Sequence, residues 1–279
     1  MIGSGIQRSL TPSMHEEEGA RQGLAVRYQL IDLDKAGVGP EVLPALIQSA
    51  RVMGFDGLNV TFPCKQRVIP LLDDLSDEAR AMGAVNTVVN QGGRLIGHNT
   101  DGSGWWDGLR GQLPDADLSR VVLLGAGGAG SAIAHALLAR GDGQLVICDT
   151  DTAKAAQLAH QLGQHYAPAR IQTSADIAQA LAGATGLVHA TPTGMDKLPG
   201  LPLPEALLEP RFWVSEIVYF PLETALLKAA RARGCATVDG GGMAVGQAVR
   251  AFNLFNPGVE ADAARMATHF RALVAGRTN

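Results

Sequence analysis

The segment that most limits what this chain can fold into is Gly125 to Gly130, GAGGAG, which follows the apolar run Val121, Val122, Leu123, Leu124 and precedes the helical pattern SAIAHALLAR. In a strand, loop, helix setting, GxGxxG has a physical rationale: Gly125 permits a tight turn, Gly127 lets the backbone approach a pyrophosphate, and Gly130 lets helix and strand pack closely. The helix N-terminus adds unpaired N–H groups and a partial positive charge that suit a phosphate anion. Small residues can also simply pack in an ordinary βα turn. Here the order strand, loop, helix and, some twenty residues on, the acidic Asp149 favours a dinucleotide-binding module in the middle of the chain.

The rest of the chain is read against that module. At 279 residues it has room for two domains of ordinary size. A hydrophobic content of 46% with 18% charged residues is that of a soluble globular protein. A formal net charge of −4 and the lack of a basic run exclude nucleic acid as the expected partner. No apolar run has the length of a membrane span, so no membrane association is expected either. Cys64, Cys148 and Cys235 are odd in number, far apart and without a CxxC pair, which points to a reduced, cytoplasmic setting. No HExxH or comparable spacing predicts a metal.

Hydrophobic periodicity places the elements. MIGSGI reads as the end of a strand; Ser9-Leu10-Thr11-Pro12 leads into the helix SMHEEEGARQG, with Thr11 as N-cap and Pro12 at a first helical position. VRYQLIDL alternates like a strand, PEVLPALIQSARVMG is a helix ended by Gly54, GLNVTF a strand, and KQRVIPLLDDL a helix. AVNTVVNQGGRLIGHNT is two strands joined through Gly92-Gly93, followed by the helix DGSGWWDGLRG. From the glycine loop onward strands and helices alternate: LVICD, TAKAAQLAHQLG, RIQT, ADIAQAL, LVHAT, FWVSEIV, TALLKAARARG, ATVDG. The expected fold is α/β: an N-terminal β/α substrate domain over 1–112, a doubly wound Rossmann domain over 113–241, and C-terminal helices over 242–279 that return to the substrate domain.

Two residues suggest chemistry. Lys65 follows Pro63 where a strand is expected to give way to a helix, and a cation at a helix N-terminus is worth about 0.3–1 kcal/mol in the wrong direction. That dipole would favour the neutral amine and bring its pKa down from the reference of about 10.4 toward an acid/base range. The alternative is a surface lysine with its head in water. Asp101 lies at the carboxyl end of an expected strand, where α/β sheets contact ligands, and could equally cap the following helix. Asn86 and Thr61 are uncharged hydrogen-bonding groups near strand ends, suited to a polyhydroxylated substrate. Trp105-Trp106 reads as a helix packing pair, Cys64 as a small buried residue, and Glu16 to Glu18 as a solvated face.

SLTPSMH, GLNVTFPCK, GAVNTV, GHNTDG, GAGGAG, ATPTGM, YFPLET and GMAVGQA, in this order, resemble the shikimate/quinate dehydrogenase family over nearly the whole chain. The resemblance implies hydride transfer between a nicotinamide cofactor and the hydroxyl-bearing carbon of a ring carboxylate, in a cleft between two domains. It implies Lys65 and Asp101 as catalytic residues, with Lys65 taking the hydroxyl proton and Asp101 fixing lysine and substrate. Ser9 and Thr11 would hold the substrate carboxylate through charge-assisted hydrogen bonds. Thr61, Asn86 and Gln247 would contact ring hydroxyls, with Tyr219 near the substrate. Cofactor contacts are expected at Gly125, Ala126, Gly127, Gly128, Ala129, Asp149, Thr191, Pro192, Met195, Val218, Gly240 and Met243. The protein is expected to be a monomer or homodimer.

NAD is the expected cofactor. Members that use NADP resemble NRTxxR after the second strand of the module, where this chain has Asp149-Thr150-Asp151-Thr152-Ala153-Lys154. A carboxylate about 5 Å from a 2′-phosphate costs on the order of 3 kcal/mol per charge pair at an effective dielectric near 20. Asp149 or Thr152 could in addition cap the next helix. The Ser9–Thr11 pair also looks like the NAD-using quinate/shikimate dehydrogenases, the biosynthetic shikimate enzymes usually having serine at the second position. The chain departs from the family's pattern at His189, where asparagine is common, at Gly241-Gly242, which leaves room in the site, and at Glu16. The alternatives are an NADP-dependent biosynthetic shikimate dehydrogenase, a paralogue acting on an amino-substituted ring acid, and a dinucleotide-binding sensor without turnover.

Overall fold

A computed structural model describes residues 1–276, which gather into two compact units: 1–100 with the described residues from 247 on, and 101–246. The first unit begins with β1 (Ile2–Gly3), α1 (Thr11–Arg21), β2 (Ile31–Asp32), α2 (Leu33–Ala36) and α3 (Leu43–Val52). It continues with β3 (Gly57–Asn59), β4 (Asp74–Leu75), α4 (Asp77–Met82), β5 (Thr87–Gln91) and β6 (Arg94–His98). β5 runs antiparallel between β3 and β6, and β4 pairs parallel with β6 at the edge. β1 and β2 are parallel, and the bridge from Ile2 to Val60 connects them to the end of β3. Ile2, Leu33, Ile47, Leu58, Val60 and Val88 are buried in one core here.

Of the elements expected in this unit, one strand is formed only in part and one helix not at all, each for a local reason. VRYQLIDL alternates as a strand should, yet only Ile31–Asp32 pairs, because β1 offers just two residues to pair with. Ahead of it, the backbone of Tyr28 donates instead to the Glu16 carboxylate. KQRVIPLLDDL is a series of turns leading through one 3-10 turn, Ile69–Leu71, into β4. Pro70 has no N–H to offer the carbonyl four residues back and its ring clashes there, so an α-helix cannot run through it.

The second unit opens with α5 (Asp101–Gln112), β7 (Arg120–Leu124), α6 (Gly128–Arg140), β8 (Gln144–Cys148), α7 (Thr152–Leu162) and β9 (Ile171–Thr173). α8 (Ile177–Leu181), β10 (Gly186–His189), β11 (Trp213–Glu216), α9 (Ala225–Ala232) and β12 (Ala236–Val238) complete it. All its strand pairs are parallel, in the order β12-β11-β10-β7-β8-β9, so the chain reverses direction of growth at β7. The apolar runs are unbroken because both faces are covered. Along β7 and β8, Val121, Leu123, Leu145 and Ile147 face a core with Trp105, Leu109, Ile133 and Leu158. Val122, Leu124, Val146 and Cys148 face the other, with Leu181 and Leu226.

α5 belongs to this second unit, since Trp105 and Leu109 sit in its core, whereas the expected boundary at 112 falls after it. α10 (Gly241–Phe255) crosses the division at Gln247, and α11 (Ala263–Ala275) lies wholly in the first unit. There Arg265 pairs with the buried Glu18 at 2.6 Å, and His269 with the Ser13 hydroxyl at 2.9 Å. The Phe255 ring covers Gly57 so closely that a Cβ there would lie 2.2 Å from it. Residues 277–279 of the expected C-terminal segment lie outside the described residues.

Candidate active site

Because β7 is flanked by β10 on one side and β8 on the other, the loop after it opens at the switch point of the sheet, where open α/β sheets bind ligands. Its glycines divide into two kinds. Gly125 has φ +107° and donates to the Cys148 carbonyl at 2.8 Å; a Cβ on Gly130 would lie 1.9 Å from the Gly125 oxygen. Those two are required by the fold itself. Gly127 and Gly128 have no such reason, since a Cβ on either would meet nothing within 4 Å. They leave backbone open at the first turn of α6, with room for an anion beside unpaired N–H groups.

Asp149 stands just beyond the end of β8. One of its carboxylate oxygens accepts from the Ala126 N–H at 2.8 Å, and the other from the Asp151 N–H at 2.9 Å. Partial burial pushes its pKa up, but these N–H donors, with Lys154 and Thr150, outweigh burial and hold it below the ordinary aspartate value. The carboxylate is therefore charged at neutral pH and fixed at the mouth of the glycine loop. The cap of α7 is neither Asp149 nor Thr152 but Asp151, which accepts from the N–H groups of Ala153 and Lys154. Lys154 lies 3.7 Å from the Asp151 carboxylate.

Thr191, Pro192 and Met195 lie on the loop that leaves β10. Gly194 donates to the Leu198 carbonyl at 2.7 Å and Met195 bridges Leu198, which closes the loop tip, while Met195 remains exposed. Thr191 is 2.5 Å from the His189 ring, which is fully buried. Val218 is buried on the loop after β11; a Cβ on Gly240 would lie 2.4 Å from its carbonyl oxygen, so Gly240 is explained by close packing of two loops. Met243 packs half-buried against the core containing Trp105, and Ala129 lies in the first turn of α6. The Tyr219 ring is 4.8 Å from that of Phe220.

In the first unit, Ser9 and Thr11 are both half-buried, and the Ser9 hydroxyl donates to that of Thr11 at 3.1 Å. Thr11 is the first residue of α1 and not its cap; its N–H donates to Ser9 Oγ at 3.3 Å. Upstream, the Asp32 carboxylate accepts from the N–H groups of Gly5 and Ile6, which fixes the backbone leading to this hydroxyl pair. Thr61 donates its N–H to the Ile2 carbonyl at 2.9 Å, and Ser4 donates to that of Phe62 at 2.9 Å, so the Thr61 loop is held to β1.

Lys65 is half-buried in the turns after the cis Phe62–Pro63 peptide, its carbonyl accepting from Val85. No α-helix begins there, so the helix-dipole argument for Lys65 has nothing to act through. Asn86, buried, donates to the Thr100 hydroxyl at 3.0 Å and accepts from the Thr100 N–H at 2.9 Å and the Thr87 hydroxyl at 2.9 Å. Its carboxamide thus ties the strand ends together in addition to any ligand contact. Gln247 accepts from the same Thr100 hydroxyl through its carbonyl. Asp101, 3% exposed, is the first residue of α5.

Sequence reasoning missed Glu216 and Thr224, buried polar residues bonded to each other at 3.0 Å, with Glu216 also bonded to His189 at 2.9 Å. A signal was available: His189 and Glu216 are ionisable residues that end buried strands on the side where ligands bind.

Comparison with known proteins agrees with this architecture. Residues 1–88 match the shikimate dehydrogenase substrate binding domain, and residues 121–269 the saccharopine dehydrogenase NADP binding domain. A shikimate dehydrogenase (NADP(+)) of Streptomyces avermitilis is 55% identical over 268 residues, 95% of this chain and 92% of that protein. A quinate/shikimate dehydrogenase (NAD(+)) of Corynebacterium efficiens is 45% identical over 276 residues, 98% of this chain and 97% of the other. The structure of quinate dehydrogenase from Corynebacterium glutamicum in complex with NAD superposes with a TM-score of 0.92 at 44% identity, covering 97% of both chains. Full-length relatives of this similarity, on a fold with a dinucleotide loop at its switch point, establish that the chain belongs to the shikimate/quinate dehydrogenase family of nicotinamide-dependent oxidoreductases.

Proposed function

We propose that this protein is an NAD-linked dehydrogenase that oxidises a ring hydroxyl of quinate or shikimate to the ketone, and catalyses the reverse reduction. The observation that carries the cofactor assignment is the Asp149 carboxylate, held charged at the mouth of the glycine loop by Ala126 and Asp151. It is positioned to accept hydrogen bonds from ribose hydroxyls and repels a 2′-phosphate. Lys154, already paired with Asp151 and largely exposed, offers little compensation. When bound, the nicotinamide supplies the hydride acceptor. The chain supplies the rest: open backbone at Gly127 and Gly128 for the pyrophosphate, Thr191, Pro192, Met195, Val218 and Met243 toward the nicotinamide end, and Lys65 to take the hydroxyl proton as hydride departs. Asp101 orients the reacting hydroxyl, Ser9 and Thr11 grip the carboxylate, and Thr61, Asn86, Gln247 and Tyr219 fix the ring. The serine–threonine hydroxyl pair supports quinate as well as shikimate. All three cysteines are buried thiols, in keeping with a reducing, cytoplasmic compartment.

One observation favours a second reading: the 55% identical relative carries NADP(+) in its name. Initial rates with quinate and with shikimate, each with NAD and with NADP, separate the two. Higher kcat/KM with NAD is expected; preference for NADP would overturn the cofactor assignment, and no turnover with either acid the substrate assignment.

A further inference from the structure

Registered directly across β10 and β11, His189 and Glu216 end their strands at the carboxyl side of the sheet, and their side chains are 0% exposed. Burying such a pair is costly unless every polar atom is matched. Here each is. One Glu216 oxygen accepts from His189 Nδ1 at 2.9 Å and from the Val218 N–H at 3.0 Å; the other accepts from the Thr224 hydroxyl at 3.0 Å. Thr224 in turn accepts from the Leu227 N–H and so caps α9.

The bonds also have a direction. A carboxylate only accepts, so His189 donates from Nδ1 to Glu216 and turns Nε2 toward the loop after β10. Nε2 is 2.5 Å from the Thr191 hydroxyl, whose oxygen also accepts the Thr193 N–H at 3.3 Å. The hydroxyl of Thr191 is thus held by both the His189 ring and the Thr193 N–H. The two loops that leave β10 and β11 beside the switch point are locked together by one buried relay.

We propose that His189 and Glu216 are positioning residues for the dinucleotide: through Thr191 and the Val218 N–H they hold the two loops that form the seat of its nicotinamide end. This rests on the assignment of these loops to the cofactor, and it gives the departure at position 189 a purpose. Asparagine there would reproduce the donor near Nδ1 but falls short of Thr191; glutamine reaches the Nε2 position but not Glu216.

The test is a double-mutant cycle read by NADH binding, followed through the fluorescence of the reduced nicotinamide, alongside thermal melting of each variant. His189→Asn is expected to weaken NADH about tenfold, the loss of one buried hydrogen bond. Thr191→Val should weaken it similarly, and the double variant no further, because His189 acts through Thr191. His189→Gln should retain NADH affinity within about threefold despite a lower melting temperature, a result that a merely structural role would not give. In turnover, His189→Asn should raise the KM for the dinucleotide and leave that for the ring acid unchanged. Additive losses in the cycle, or NADH affinity that falls only in step with melting temperature, would overturn the proposal. So would a wild-type protein that does not bind NADH. A wild type that binds NADH but turns over neither acid would refute the proposed activity and leave this cycle intact as a test.

Discussion

Replacing Asp149 by asparagine tests the cofactor assignment most directly. The carboxylate is charged at neutral pH, and at about 5 Å from a 2′-phosphate, with an effective dielectric near 20, it opposes the first phosphate charge by about 3 kcal/mol. Removing that charge should raise kcat/KM with NADP by on the order of a hundredfold, less at high salt because the site is partly open to solvent. The same substitution replaces charge-assisted bonds to the ribose by neutral ones, so kcat/KM with NAD should fall about tenfold. Asparagine has one acceptor oxygen for the two N–H groups that Asp149 now receives, from Ala126 and Asp151. A stability loss of about 1 kcal/mol is expected from the N–H left over, to be checked by urea unfolding. The assay is initial rate against dinucleotide concentration, for both cofactors, with saturating ring acid. A ratio of the two kcat/KM values that moves less than threefold in a folded variant would refute the reasoning, as would a wild type that already prefers NADP.

Three further outcomes are expected. Lys65→Ala should lower kcat at least about a hundredfold with little change in either KM, as loss of a general acid/base does; near-normal turnover would remove the lysine from the reaction. Arg265→Met removes the guanidinium from a Glu18 carboxylate that is 1% exposed, leaving it the Gln22 amide and the Asp262 N–H, and should lower the urea midpoint; an unchanged midpoint would show that those two donors suffice. His15 is held to about 3 by burial, and then by the nearby terminal amine, from an ordinary value of 6.5. The unfolded chain therefore binds a proton there that the folded one does not, and stability should fall by about 1.4 kcal/mol per unit as pH drops from near 6.5 toward 3. His15→Leu should flatten that limb in denaturant midpoints taken across the range; an unchanged slope would exclude His15 as its source.

The second unit was largely legible because a parallel sheet covered on both faces writes its strands as near-continuous apolar runs, and VVLL, LVIC, LVH and WVSE all lie in strands. The first unit was less so, for two different reasons. The alternation in VRYQLIDL is real, but a strand needs a partner and alternation does not reveal how long that partner is. In KQRVIPLLDDL the apolar spacing suited a helix while Pro70 forbade it, and backbone chemistry outweighed side-chain pattern. The site followed the same division. Residues that sit at motif positions could be named from their neighbours in sequence, whereas Glu216 and Thr224 matter through bonds to side chains 27 and 8 residues away.

The glycine loop shows where a motif stops being informative. GAGGAG is written as six equivalent small residues, yet Gly125 and Gly130 are small because the fold would otherwise collide with itself, and that would hold in a protein that bound nothing. Only Gly127 and Gly128, where a Cβ would meet open space, ask for a reason from outside the chain. An alanine at Gly128, the first residue of α6, is compatible with the helix and no worse a helix former than glycine. If the open space is reserved for a pyrophosphate, Gly128→Ala should unfold no more easily than wild type, and melt higher if anything, while dinucleotide affinity falls at least about tenfold as the methyl intrudes on the phosphate seat. Loss of stability with unchanged affinity would reverse the inference and return all four glycines to packing.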